Sequence, residues 1–166
     1  MKQNVNRNIG ILGWFNFFCD FRLYAPIAVL YFAEVTGSFA AGMSIFSVTM
    51  LAQALFEVPT GVYSDMIGRK RTMIVGAGVC TASVICYAVG GTYVWLVIGA
   101  LLEGLGRSFY SGNNDALLMD TLKEQGRSDL FAELSGKIST SFQVALGLAA
   151  LLGGVVAALT SFETVI

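Results

Sequence analysis

The 166-residue chain contains no histidine, only two prolines and three cysteines, and charged side chains make up just 13% of it. Without histidine, imidazole acid–base chemistry, Ser-His and Cys-His nucleophiles and most zinc sites are excluded. Cys19, Cys80 and Cys86 all fall inside apolar stretches, so they read as small buried hydrophobes rather than a disulfide framework. Ten Lys and Arg with eleven Asp and Glu are too few to clothe a soluble domain of this length. The basic residues form no extended patch, so no nucleic-acid partner is expected.

What fills the chain instead is apolar: 55% hydrophobic residues, a mean hydropathy of +0.70 and 19 glycines. The solvent that suits this composition is lipid, where small residues let helices pack closely. Five apolar stretches run at about 9–33, 39–63, 72–90, 94–117 and 133–160. Each is long enough to cross a hydrocarbon core of about 30 Å as a helix. Membrane barrels show alternating segments of roughly ten residues instead, so an all-α polytopic bundle of five transmembrane helices is expected. The first stretch is too long for a cleaved signal core and carries Asp20 and Arg22 near its middle.

Charge decides the orientation. Lys2, Arg7, Arg69, Lys70, Arg71, Lys123, Arg127 and Lys137 fall on one side if the stretches alternate. Glu34–Ser38, Gly91–Tyr93 and Ser161–Ile166, on the other side, carry no basic residue. The positive-inside rule then places the N-terminus in the cytoplasm of a multi-pass cell (inner) membrane protein, with the C-terminus outside.

Between the second and third stretches, Gly61, Asp65, Gly68, Arg69 and Lys70 spell Gly-x-x-x-Asp-x-x-Gly-Arg-Lys. Gly61 lets another backbone approach, and Gly68 permits a tight turn. Asp65 can accept from a helix N-terminus, and Arg69 can pair with an acid at a helix end. The pattern resembles the signature loop of the major facilitator superfamily, which also joins helices two and three on the cytoplasmic side; Met66 stands where that family often has a basic residue. The resemblance implies that this loop contacts the other half of the transporter and gates the outward-facing state. An ordinary basic loop that only sets topology is the alternative.

The family is built from two six-helix halves, each an inverted pair of three-helix repeats. Residues 1–166 correspond to a partial N-terminal half, with the sixth helix and the whole second half absent from the sequence. The implied function is secondary active transport of a small solute by alternating access, not catalysis. No cofactor or metal is expected; the expected partners are the bilayer, the solute, a coupling proton and the missing second half. A non-transporting multi-span subunit that needs a partner is the rival reading. In the fifth helix, Ala145, Ala149, Gly153 and Ala157 form a small-residue face suited to close packing. Drug–proton antiporters of the family carry a Gly-Pro element there, where this chain has Gly153-Gly154.

An ionisable group at bilayer depth costs about 2.5 to 3.5 kcal/mol on insertion scales, so each needs a reason. Glu103, Arg107, Ser111 and Asp115 are spaced by four on the fourth helix, with Asn114 beside them. The first helix carries Asn16, Asp20 and Tyr24 on one face and Arg22 on another. Counting about 1.5 Å per residue from either end brings Asp20 level with Arg107, and Arg22 level with Glu103. The resemblance makes the first and fourth helices symmetry-related walls of a central cavity. These nine residues are therefore the candidate solute and ion pathway, with charge pairs Asp20–Arg107 and Arg22–Glu103. A purely structural neutralisation of the same charges remains open. On the second helix, Thr49, Gln53, Glu57 and Gly61 are again spaced by four, a face expected to pack on a neighbour; proton coupling at Glu57 is the other reading. The third helix, with no acid or base between Thr72 and Tyr93, is expected at the lipid-facing periphery.

Overall fold

The computed structural model describes residues 2–159, with side chains from residue 9 onward. The side chains of Lys2 and Arg7 and the segment Ser161–Ile166 lie outside the described residues. Among the described residues seven α-helices follow one another: α1 Lys2–Asp20, α2 Ala28–Thr36, α3 Phe39–Ile67, α4 Arg69–Val89, α5 Tyr93–Tyr110, α6 Asn113–Lys123 and α7 Phe131–Leu159. A single 3-10 turn at Ser128–Leu130 leads into α7, and no strand occurs among the described residues. The protein is an all-α membrane helix bundle.

Two of the five expected spans are not single helices. The first, drawn at 9–33, breaks after Asp20 and restarts at Ala28. Pro26 is the cause: it has no N–H to donate, and its ring collides with the carbonyl four residues earlier in a helix. Through the break the backbone makes only short-range bonds, Arg22 N to Asp20 O, Ala25 N to Arg22 O and Ile27 N to Tyr24 O. The fourth span, drawn at 94–117, breaks at Ser111-Gly112, where Gly112 takes φ +71° and α6 starts afresh. Glycine alone adopts that conformation without strain. The expected loop 64–71 contracts to one residue, Gly68, at φ 91° and ψ 141°, because α3 runs on to Ile67 and α4 begins at Arg69.

Phe39–Ile67, Arg69–Val89 and Ser128–Leu159 are each long and apolar enough to cross a membrane alone. The first and fourth spans would cross as broken pairs, α1 with α2 and α5 with α6. At the centre, α5 packs against both α3 and α4, while α2 lies on α3 and α7 on α1. A Cβ on Gly104 would sit 2.5 Å from the Thr49 carbonyl oxygen, so the α3–α5 approach needs glycine there. One core gathers Tyr31, Phe32, Ile45, Tyr87 and Leu96; a second gathers Leu12, Met73, Leu118 and Leu122. The outer faces are apolar too, with Leu51, Leu55, Val58 and Val62 exposed on α3 and Leu151, Leu152 and Val155 on α7. In water such a surface would aggregate; in a bilayer it is solvated.

α4 is peripheral on one side only. Ile74, Ile85 and Val89 face outward, but Met73, Gly76, Ser83 and Tyr87 are buried. Ser83 Oγ donates to the Gly99 carbonyl on α5 at 2.8 Å.

Candidate functional site: a charged cavity

Both helix breaks open onto one cavity of about 350 Å³. Its walls come from α1 with the first break, α5, the second break with α6, and α7, while α3 adds Gln53. Of the nine expected pathway residues, Asn16, Asp20, Arg22, Arg107, Ser111, Asn114 and Asp115 line it. Glu103 lies behind the wall at 8% exposure, and Tyr24 is buried to the same degree with no hydrogen-bond partner for its hydroxyl among the described residues. From α7 come Ser135, Ser139 and Phe142, which charge spacing had not singled out.

The charges pair differently from the depth count. Glu103 Oε1 accepts from Arg22 Nη1 at 2.5 Å and from Arg107 Nη2 at 2.7 Å and Nε at 3.0 Å. Its Oε2 accepts from the Tyr87 hydroxyl of α4 at 2.8 Å. Arg22 Nε is tied to the Cys19 carbonyl at 3.0 Å, one of the acceptors freed where α1 ends. The expected contact between Asp20 and Arg107 is not formed: Arg107 turns one helical turn back to Glu103, the nearer acid on its own face. One carboxylate thus holds two guanidinium groups and leaves the cluster with one net positive charge, while Asp20 makes no ion pair among the described residues.

The polar contacts continue towards the second break. Asn16 and Asn114 exchange amide hydrogen bonds, Asn114 Nδ2 to Asn16 Oδ1 at 2.8 Å and the return bond at 3.3 Å. Ser111 Oγ donates to Glu57 Oε1 at 2.5 Å, so the α3 row does meet a neighbouring element at Glu57. Ser135 Oγ on α7 donates to Asp115 Oδ1 at 3.1 Å. Tyr110 reaches Cys19 Sγ at 3.7 Å across the α1–α5 wall.

The basic joint between α3 and α4 is a separate site. Gly68 makes the turn with positive φ, and Arg69 Nε donates to Asp120 Oδ2 of α6 at 2.8 Å. Gly61 meets nothing: no atom lies within 4 Å of where its Cβ would be. Asp65 and Lys70 border a surface groove shared with Asp120 and Glu124, and neither makes an ion pair among the described residues. Three basic residues in the first turn of α4 oppose its helix dipole, and Asp120 relieves that at Arg69.

A bundle of apolar helices, two of them broken beside a charged cavity, with the Gly-x-x-x-Asp-x-x-Gly-Arg-Lys joint at one end, defines a membrane transporter class. The chain belongs to the Major Facilitator Superfamily, whose family model matches residues 10–166. It is 30% identical over 122 residues to the inner membrane transport protein YajR of Escherichia coli, covering 73% of this chain and 26% of that one. It is 26% identical over 135 residues to a Na(+), Li(+), K(+)/H(+) antiporter of Planococcus maritimus, covering 78% of this chain and 31% of the antiporter. Multidrug resistance protein 1 of Bacillus subtilis is 24% identical over 154 residues, covering 93% of this chain and 40% of the relative. The chain therefore spans well under half the length of these relatives. No solved structure matches it significantly.

Proposed function

We propose that the protein moves a small solute across the cytoplasmic membrane by alternating access, and that the cavity at the two helix breaks is the solute's path. The observation that carries this reading is the cavity itself, with Arg107, Asp20 and Asp115 among its lining residues in a bundle of apolar helices. Charge placed there is costly, and broken helices beside a midplane cavity are how secondary transporters hold solutes and ions. A proton is the coupling ion, a role that one relative's name gives to that relative and that the acids around the cavity suit. The exposed apolar faces of α3 and α7 would meet the second half of the same polypeptide, completing the path from the other side. Solute uptake and efflux profiling of the full-length protein tests the reading. An intact, folded protein that moves no solute, and is recovered bound to another membrane subunit, would favour the scaffold alternative.

The charge asymmetry of the loops sets the N-terminus inside. A cysteine introduced at Ile67, on the basic joint, should resist membrane-impermeant maleimide in intact cells and react once the membrane is opened. Labelling from outside would invert the topology.

Gly61, Asp65, Gly68, Arg69 and Lys70 are assigned the gating role. The free face of Gly61 and the unpaired carboxylate of Asp65 suit contact with a second half. Asp65→Asn should slow transport severalfold with insertion and abundance unchanged, since an exposed carboxylate that meets a helix N-terminus of the second half contributes about 0.3–1 kcal/mol to that conformation. Normal kinetics in that variant would reduce the joint to a topology signal.

A further inference from the structure

Two of the three cysteines meet on one phenol where α1, α4 and α5 converge. Cys19, in the last turn of α1, lines the cavity, and its Sγ donates to the Tyr110 hydroxyl at 3.7 Å. Cys80 of α4 hydrogen-bonds the same hydroxyl. The approach is built into the helices: Gly106 of α5 is buried, and a Cβ there would collide with Cys80 Sγ. Cys86 lies further along α4 on another face. Cys19 and Cys80 are far apart in sequence, so only the fold brings them to a common partner.

The chemistry of the pair narrows what it can hold. Among the described residues no three His, Cys, Asp or Glu side chains gather as a metal site, which sets aside tetrahedral zinc. Thiolate ligands select soft cations such as Cu(I), and such ions are content with two thiolates in line. A monovalent ion between two thiolates is a unit of one negative charge, costly in an apolar bundle unless it is paired. Arg22, Arg107 and Glu103 together carry one net positive charge. Arg22 Nε is bonded to the carbonyl of Cys19 itself at 3.0 Å, and all three groups interact electrostatically with Cys80. Asp20 opposes the pair from beside Cys19, but it faces the cavity, where water screens it.

We propose that Cys19 and Cys80 form a two-thiolate site for a soft monovalent cation, Cu(I) or Ag(I), entered from the cavity. The ion takes the place that the Tyr110 hydroxyl holds between the two sulfurs. Two S–H bonds break, two metal–sulfur bonds form, and both protons leave to the cavity water; no electron is transferred. The bound ion fastens the cavity end of α1 to α4, and the Arg22–Glu103–Arg107 cluster supplies its counter-charge. The site goes beyond the transport reading and does not depend on it.

Ag(I), which stays monovalent without a reductant, is the probe. The full-length protein in detergent micelles is mixed with Ag(I) in the presence of excess glutathione, separated by gel filtration, and its retained silver is counted by mass spectrometry. The monothiol strips ions held by one cysteine, whereas two cysteines on one scaffold hold theirs through a high effective concentration. Cys19→Ser and Cys80→Ser should each lose one equivalent of silver, and the double variant should lose one, not two, because the ion is shared. Cys86→Ser should lose none. Metal-free melting temperatures equal to the native one show that the variants are folded, and Cys19→Ala and Cys80→Ala should repeat the losses. Silver retained in both single variants, lost in Cys86→Ser, or lost twice over in the double variant would overturn the site. Silver should also raise the melting temperature of the native protein and not of either single variant; a native protein that retains the ion without that rise would overturn the fastening of α1 to α4.

Discussion

Glu103→Ala should cost the protein most of its stability. The substitution removes the carboxylate that pairs with both Arg22 and Arg107, and it takes away the acceptor of the Tyr87 hydroxyl. Arg22 suffers most, because it is nearly enclosed and its remaining bond is to the Cys19 carbonyl. Removing one partner of a buried ion pair costs about 3–5 kcal/mol, since the surviving charge stays out of water. Arg107 is half-exposed and can turn to cavity water, so its loss adds little. The expected result is a steep fall in melting temperature and in membrane abundance. Replacing Arg22 and Glu103 together by Met and Leu should restore most of the stability, as apolar groups of similar volume often do for buried ion pairs. Transport should not return, because Arg107 would have lost its resting partner. A Glu103→Ala protein that melts like the native one would show that the cluster is not what holds α1, α4 and α5 together.

The membrane bundle was legible from charge scarcity and run length alone, because bilayer thickness and the absence of water leave few solutions. The two breaks were not. Pro26 and Gly112 sit among residues apolar or small enough that a hydropathy reading passes over them, although Pro26 was a local breaking signal in plain view. Counting depth from the helix ends placed Arg22 level with Glu103, and the structure pairs them at 2.5 Å. The same count placed Asp20 level with Arg107, but depth says nothing of competition, and Glu103 lies one turn from Arg107 on the same helix. Tyr87 was invisible as a site residue. In an apolar span a tyrosine looks like packing or an interfacial anchor, and only the assembled α4–α5 contact aims its hydroxyl at Glu103. Gly61 shows the opposite limit: the sequence predicts a close approach there, and the described residues supply none.

Gly153→Val should displace α7, whereas Gly154→Val should not. The small-residue face of α7 buries Ala145, Ala149 and Gly153, and α7 packs against α1. At Gly153 the contact is with the first helix break: a Cβ there would collide with the Leu23 carbonyl oxygen, a backbone atom that cannot swing aside. That carbonyl is available because Pro26 prevents Leu23 from sitting inside a regular helix, so the break and the glycine fit one another. Overpacking a close contact usually costs about 1–3 kcal/mol, with the upper end expected where backbone must move. Gly154 is one residue on but faces open space, with nothing within 4 Å of a Cβ, so valine there displaces none of the described helices. Since Ser135, Ser139 and Phe142 of α7 form one wall of the cavity, moving the helix should also impair transport in Gly153→Val. Melting temperature and transport are measured for both variants. Equal behaviour of the two would mean that the α7 face packed on the Leu23 carbonyl is not the one the structure shows.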